Sequence, residues 1–133
     1  MKLLTLGLVV IFLAACGTRT SDEEKVRELI IAAENAAEER DTSDVLANVA
    51  SDYSDSQGFD RAQLQNFLRG YFLAHPRVEL RVNVQDLQFP VEGLGRATID
   101  VTSLPAGEHA TLSVEFRKEG GAWRIARADR LRE

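Results

Sequence analysis

The chain has 133 residues and a formal charge of −5, with 44% hydrophobic and 28% charged side chains. That length allows one domain with a single core and not two, and the acidic balance argues against binding nucleic acid through charge. Its one cysteine excludes an intrachain disulfide, and two distant histidines with no second cysteine supply no metal-ligating set, so neither a metal nor another cofactor is expected.

The amino terminus has the layout of an export signal. Lys2 gives a positive start, and residues 3–15 form an uncharged apolar run broken only by Thr5 and Gly7. Roughly 13 residues suit a signal peptide and fall short of the ~20 that span a bilayer. The run ends in Leu13-Ala14-Ala15-Cys16, which resembles the lipobox of bacterial lipoproteins. The resemblance implies a signal peptide over 1–15, cleavage before Cys16, and acyl chains on the mature amino terminus that anchor it to a membrane. A lipidated thiol also accounts for an unpaired cysteine in an oxidising compartment. Gly17 stands where an aspartate retains Gram-negative lipoproteins in the inner membrane, so the expected place is the outer membrane, facing the periplasm. Residues 16–20 read as a short polar tether and 21–133 as the domain.

Ser21-Asp22-Glu23-Glu24 reads as a capping box opening a first helix. Val26, Leu29, Ile30, Ala33 and Ala37 follow the three-four spacing of one buried face, and the helix is expected to stop near Asp41. A short second helix fits Ser43 to Ala50. A polar turn through Asp55 ends at Gly58. The third helix starts at Asp60, with Gln63 three residues on, and carries Leu64, Phe67, Leu68, Tyr71 and Phe72 on one face until Pro76.

From Arg77 the period becomes two. Val78, Leu80, Val82 and Val84 alternate with polar residues, and Leu87 and Phe89 keep the same face only if a bulge lies at Gln85-Asp86. Ala97, Ile99 and Val101 form the next strand, followed by a turn at Pro105-Ala106-Gly107. Ala110, Leu112, Val114 and Phe116 then lead to a hairpin at Glu119-Gly120-Gly121 and a last strand from Trp123 to about Asp129. The pattern predicts an α+β domain, three helices packed on one face of a curved four-stranded antiparallel sheet.

This order of elements, with Asp52-Tyr53, the Asp55-Ser56-Gln57-Gly58 turn and the closing hairpin bearing Trp123, resembles the nuclear transport factor 2-like superfamily, which includes ketosteroid isomerase and the polyketide cyclases. The resemblance spans the mature chain and implies a cone whose interior can hold a ligand. Ketosteroid isomerases use a carboxylate base with a tyrosine and a protonated acid as oxyanion donors. Asp55, with Gly58, matches the position of the base. The tyrosine position falls on Leu29 or Ala33, and the acid falls near Val114, with Glu115 pointing to the opposite face. A base without oxyanion donors lacks the largest usual catalytic contribution.

Asp55 is therefore expected to bond the amides of its own turn, with catalysis the sharper alternative. Tyr53, Tyr71 and Trp123 are candidate pocket residues. His75 is expected to end the third helix and His109 to border a turn, while Arg124, Arg127, Arg130 and Arg132 read as a solvated stripe. The expected function is a non-catalytic, membrane-anchored domain binding a small apolar ligand or an envelope protein. The alternative is an isomerase, cyclase or dehydratase working inside the cone. A polar outer sheet face (Arg81, Asn83, Thr98, Asp100, Thr111, Ser113 and Glu115) predicts a monomer or weak dimer.

Overall fold

A computed structural model describes residues 17–131, with side chains from residue 21. The export signal and Cys16 lie outside the described residues. Three helices, α1 (Gly17–Glu38), α2 (Thr42–Leu46) and α3 (Arg61–Ala74), precede four strands, β1 (Glu79–Val91), β2 (Leu94–Leu104), β3 (Glu108–Glu119) and β4 (Ala122–Arg130). The strands form an antiparallel meander in the order β1-β2-β3-β4. This is the expected architecture, helices on one face of a curved sheet.

The inner face follows the predicted alternation. Val26, Leu29 and Ile30 of α1 bury against Ala97 and Ile99 of β2, Val114 and Phe116 of β3, and Trp123 of β4. A second cluster joins Leu46, Val49 and Tyr53 to Phe59, Leu64 and Leu68, and meets the sheet at Ile125 and Ala128. The predicted bulge is present: Gln85 pairs with Thr98 while Gln88 pairs with Arg96, so β1 carries one extra residue, and Asp86 has φ 51°. That phase change brings Leu87 and Phe89 onto the core side.

Three expectations are corrected. The first described residues, Gly17–Thr20, are already helical, so Ser21 lies inside α1 and cannot cap it, and residues 17–20 of the stretch read as a tether belong to the helix. Its inner stripe also turns, with Ala36 buried rather than Ala33 and Ala37. α2 is capped by Asp41, whose Oδ1 accepts from Asp44 N at 3.0 Å, rather than by Ser43. It stops at Leu46 because the next residues pair with the sheet: Ala50 N donates to Ile125 O at 2.9 Å, and Ile125 N to Asn48 O at 2.8 Å. With Ser54 N donating to Ala126 O, this segment covers part of the free edge of β4.

The two ends of the sheet differ. At one end, Trp123 Nε1 donates to Asp22 Oδ1 at 3.2 Å, fixing the start of α1 to the β3–β4 hairpin. At the other, Leu80 N donates to Glu38 Oε2 at 3.3 Å, and Arg40 Nη2 donates to the Phe72 carbonyl at 2.7 Å, joining the end of α1 to β1 and α3. At ~1.5 Å per helical residue, Asp22 and Glu38 on α1 are separated by roughly 24 Å.

Candidate functional site

α3 begins in the predicted capping box, with Gln63 N donating to Asp60 Oδ1 at 2.8 Å and Asp60 N to Gln63 Oε1 at 2.9 Å. The cap fixes the phase of the helix over the sheet. Of its apolar face only Phe72 is fully buried, at 5% exposure, whereas Phe67 is 51% exposed. The face is only partly covered because the helix stands off the last turns of the sheet. The gap is a cavity of about 390 Å³ between α3 and the inner-face residues Leu80, Val101, Ala110 and Leu112. Its walls are apolar, with Tyr71, Glu108, His109 and Arg130 as polar groups at its margin. The size and the composition fit a small-molecule cavity.

The cavity lies at the end of the sheet where β1 and β3 start and β2 and β4 finish, remote from the start of α1. A second, more polar cleft of about 690 Å³ adjoins it, lined by Ser56, Gln57 and Thr111, with His109, Ala110 and Arg130 shared by both. Arg130 reaches this place through a second bulge. Phe116 pairs with Ile125 but Glu115 pairs with Arg127, so Ala126 is an extra residue and the alternation of β4 reverses. Arg127 and Asp129 then share the outer face with Glu115 and Ser113, while Ala128 and Arg130 oppose Val114 and Leu112 on the inner face.

The candidate residues do not converge on the apolar cavity. Tyr53 is buried in the second cluster, and its hydroxyl donates to Asp55 Oδ2 at 2.8 Å. Asp55 Oδ1 accepts from Gln57 N at 2.9 Å and Phe59 N at 3.1 Å, the local turn bonding that the sequence suggested. Burial first, then the bond to the Asp55 carboxylate, pushes the Tyr53 hydroxyl well above the ordinary tyrosine range, the wrong direction for a proton donor near neutral pH. Trp123 sits at the opposite end of the sheet, stacked edge-on with Phe89 and bonded to Asp22. Of the three candidate pocket residues, only Tyr71 lines the apolar cavity. Its ring stacks on His75, centroids 4.0 Å apart, and His75 Nδ1 lies 2.8 Å from the Tyr71 carbonyl at the end of α3.

The positions that would supply oxyanion donors offer none. Leu29 and Val114 are buried apolar residues, and Glu115 faces outward, 4.0 Å from Arg96. The Asp55 carboxylate and the Tyr53 hydroxyl are paired with each other, and neither lines the apolar cavity beneath α3.

The architecture is the cone of the nuclear transport factor 2-like, or cystatin-like, fold. A domain of unknown function with a cystatin-like fold from Nostoc punctiforme superposes with a TM-score of 0.72 at 15% identity, over 86% of this chain and 78% of that one. An NTF2-like protein of unknown function from Shewanella baltica gives 0.69 at 15% identity, over 84% and 94% of the two chains. Another from Pseudomonas putida gives 0.67 at 17% identity, over 84% and 86%. No protein-family model matches the chain, and no curated protein sequence matches it.

Proposed function

We propose that this protein is a lipid-anchored domain of the bacterial cell envelope that binds a small apolar molecule without transforming it. The observation that carries the binding part is the apolar cavity between α3 and the sheet, with an exposed aromatic side chain, Phe67, on its rim. A half-exposed phenyl ring loses apolar contact with water only when something covers it, which favours an apolar occupant. The placement of the Asp55–Tyr53 pair outside this cavity supports binding over catalysis by those two residues. Anchoring rests on the lipobox of the sequence, with the outer membrane and the periplasm as the proposed place, and on a sorting position occupied by Gly17. No described helix is long and apolar enough to cross a membrane. Anchorage through Cys16, beside the start of α1, would leave the cavity at the end of the domain remote from the bilayer, open to ligand or to an envelope partner. The polar outer face favours a monomer or weak dimer.

The binding test is titration of the neutral fluorophore N-phenyl-1-naphthylamine into the mature domain. Saturable one-to-one binding that Ala110→Phe abolishes without lowering the melting temperature is expected. An unsaturable or Ala110-independent signal refutes the cavity. Anchoring is tested separately by Cys16→Ser, which should move the protein from the membrane fraction to the soluble one.

A further inference from the structure

We propose that Arg130 anchors the head group of a monoanionic amphiphile, a medium-chain fatty acid in chemical class, whose tail occupies the cavity beneath α3. This rests on the binding reading above and adds the identity of the ligand class. Three observations lead to it. The first is position: the Ala126 bulge places Arg130, exposed at the end of β4, on the inner-face side opposite Leu112, where strict alternation from Trp123 would have placed it on the outer side. The second is continuity. Arg130 borders both the apolar cavity and the polar cleft beside it, so a molecule with an apolar body in one and a polar head in the other passes its junction at this guanidinium.

The third is charge. The Arg130 guanidinium makes no hydrogen bond or ion pair with any described residue, whereas those of its neighbours on β4 are engaged: Arg124 donates to the Trp123 carbonyl, and Arg127 pairs with Asp129. Arg130 is the one permanent cation among the described lining residues of the two clefts. A guanidinium offers two parallel donors to a carboxylate, which fixes the orientation of the head as well as its charge. Besides the Tyr71 phenol, the other ionisable side chains of the lining are His109, 3.7 Å from Asp100, and Glu108. Glu108 lies four residues from Leu112 along β3, and thus about 13 Å from the Arg130 register position at ~3.3 Å per residue. It is too far to neutralise Arg130, and it opposes a second negative charge on the ligand. The cavity volume of about 390 Å³ suits one short chain rather than a two-chain lipid.

The experiment is calorimetric titration of the mature domain with decanoate, decanol and decyltrimethylammonium, which share a tail and differ in head charge. Decanoate is expected to bind about tenfold tighter than decanol, and decyltrimethylammonium weakest of the three. Arg130→Gln should remove the decanoate advantage and leave decanol binding unchanged. Equal affinities for decanoate and decanol, or an equal loss of both in Arg130→Gln, would overturn the role of Arg130 while leaving the cavity as a binding site. Binding of none of the three would overturn the binding reading and this inference together.

Discussion

The Tyr53 hydroxyl donates to Oδ2 of Asp55 across 2.8 Å, and the same carboxylate holds two amides of the turn through Oδ1. The one acid at the position of a family base is therefore part of the frame that closes the Asp55–Phe59 loop. A hydrogen bond to a charged acceptor contributes about 1.5–3 kcal/mol, so Tyr53→Phe should lower unfolding free energy by about that amount in urea titration. Because the Tyr53 pKa is raised above 10.0 in the folded state, the unfolded chain gives up this proton first as pH rises. The associated stability is complete below pH 10 and is lost progressively above it. The urea midpoint of the parent should consequently fall more between pH 9 and pH 11 than that of Tyr53→Phe. Parallel falls in the two proteins would separate Tyr53 from the alkaline loss.

Phe72 and Phe67 lie five residues apart on α3 and report on different things. Phe72 is buried at 5% exposure, and Phe→Ala in a core costs about 3–5 kcal/mol. Phe67 is 51% exposed, with a tilted contact to Phe59 at 5.7 Å and a stacked one to Tyr71 at 6.2 Å between ring centroids. Phe67→Ala should therefore cost only about 1 kcal/mol while weakening uptake of the neutral fluorophore several-fold. A large stability loss at Phe67 would show that it belongs to the core and not to the rim.

The sequence disclosed what depends on period and capping, and missed what depends on tertiary compromise. The alternation of Val78 to Val84 and the break at Gln85-Asp86 place β1 and its bulge without a structure, because a one-residue slip would expose Leu87 and Phe89. Asp60 and Gln63 likewise announce the start of α3. The exposure of Phe67 was hidden, since a clean apolar face looks the same whether a sheet covers all of it or only part. Arg130 was hidden for a sharper reason. Arg124, Arg127 and Arg130 read as one outer stripe, but the extra residue at Ala126 sets Arg127 on the outer face beside Arg124, and Arg130 on the inner one, and nothing in Ile-Ala-Arg-Ala-Asp marks that bulge. The helical start of α1 was obscured by Ser21-Asp22-Glu23-Glu24, a convincing cap that lies within a longer helix.

The capping box at α3 offers a test of whether that helix holds the cavity open. Removing the side-chain acceptor in Asp60→Ala should cost about 1 kcal/mol, and Gln63→Ala less, because its amide oxygen bonds only the Asp60 N–H. The two bonds are reciprocal, so the double variant should lose less than the sum of the single losses. Amide hydrogen exchange over residues 61–64 should accelerate in both. Strict additivity would mean that the two bonds form independently.

Asp22 makes the closing case, because one carboxylate oxygen serves two partners where α1 meets the β3–β4 hairpin. Its Oδ1 accepts from Trp123 Nε1 and lies 3.2 Å from Lys118 Nζ, while that ammonium also sits 5.5 Å from the centre of the indole. Asp22→Asn keeps an acceptor for the indole and surrenders only the partly buried ion pair, a loss of about 1 kcal/mol. Asp22→Ala strands the N–H of a ring that is 4% exposed, which should raise the loss to about 2 kcal/mol. Trp123 is the single tryptophan, so its fluorescence reads the site directly: Asp22→Ala should shift emission to the red as water reaches the indole, and Asp22→Asn should leave it in place. Equal shifts and equal losses in the two variants would mean that the ion pair with Lys118, rather than the indole bond, fastens α1 to the hairpin.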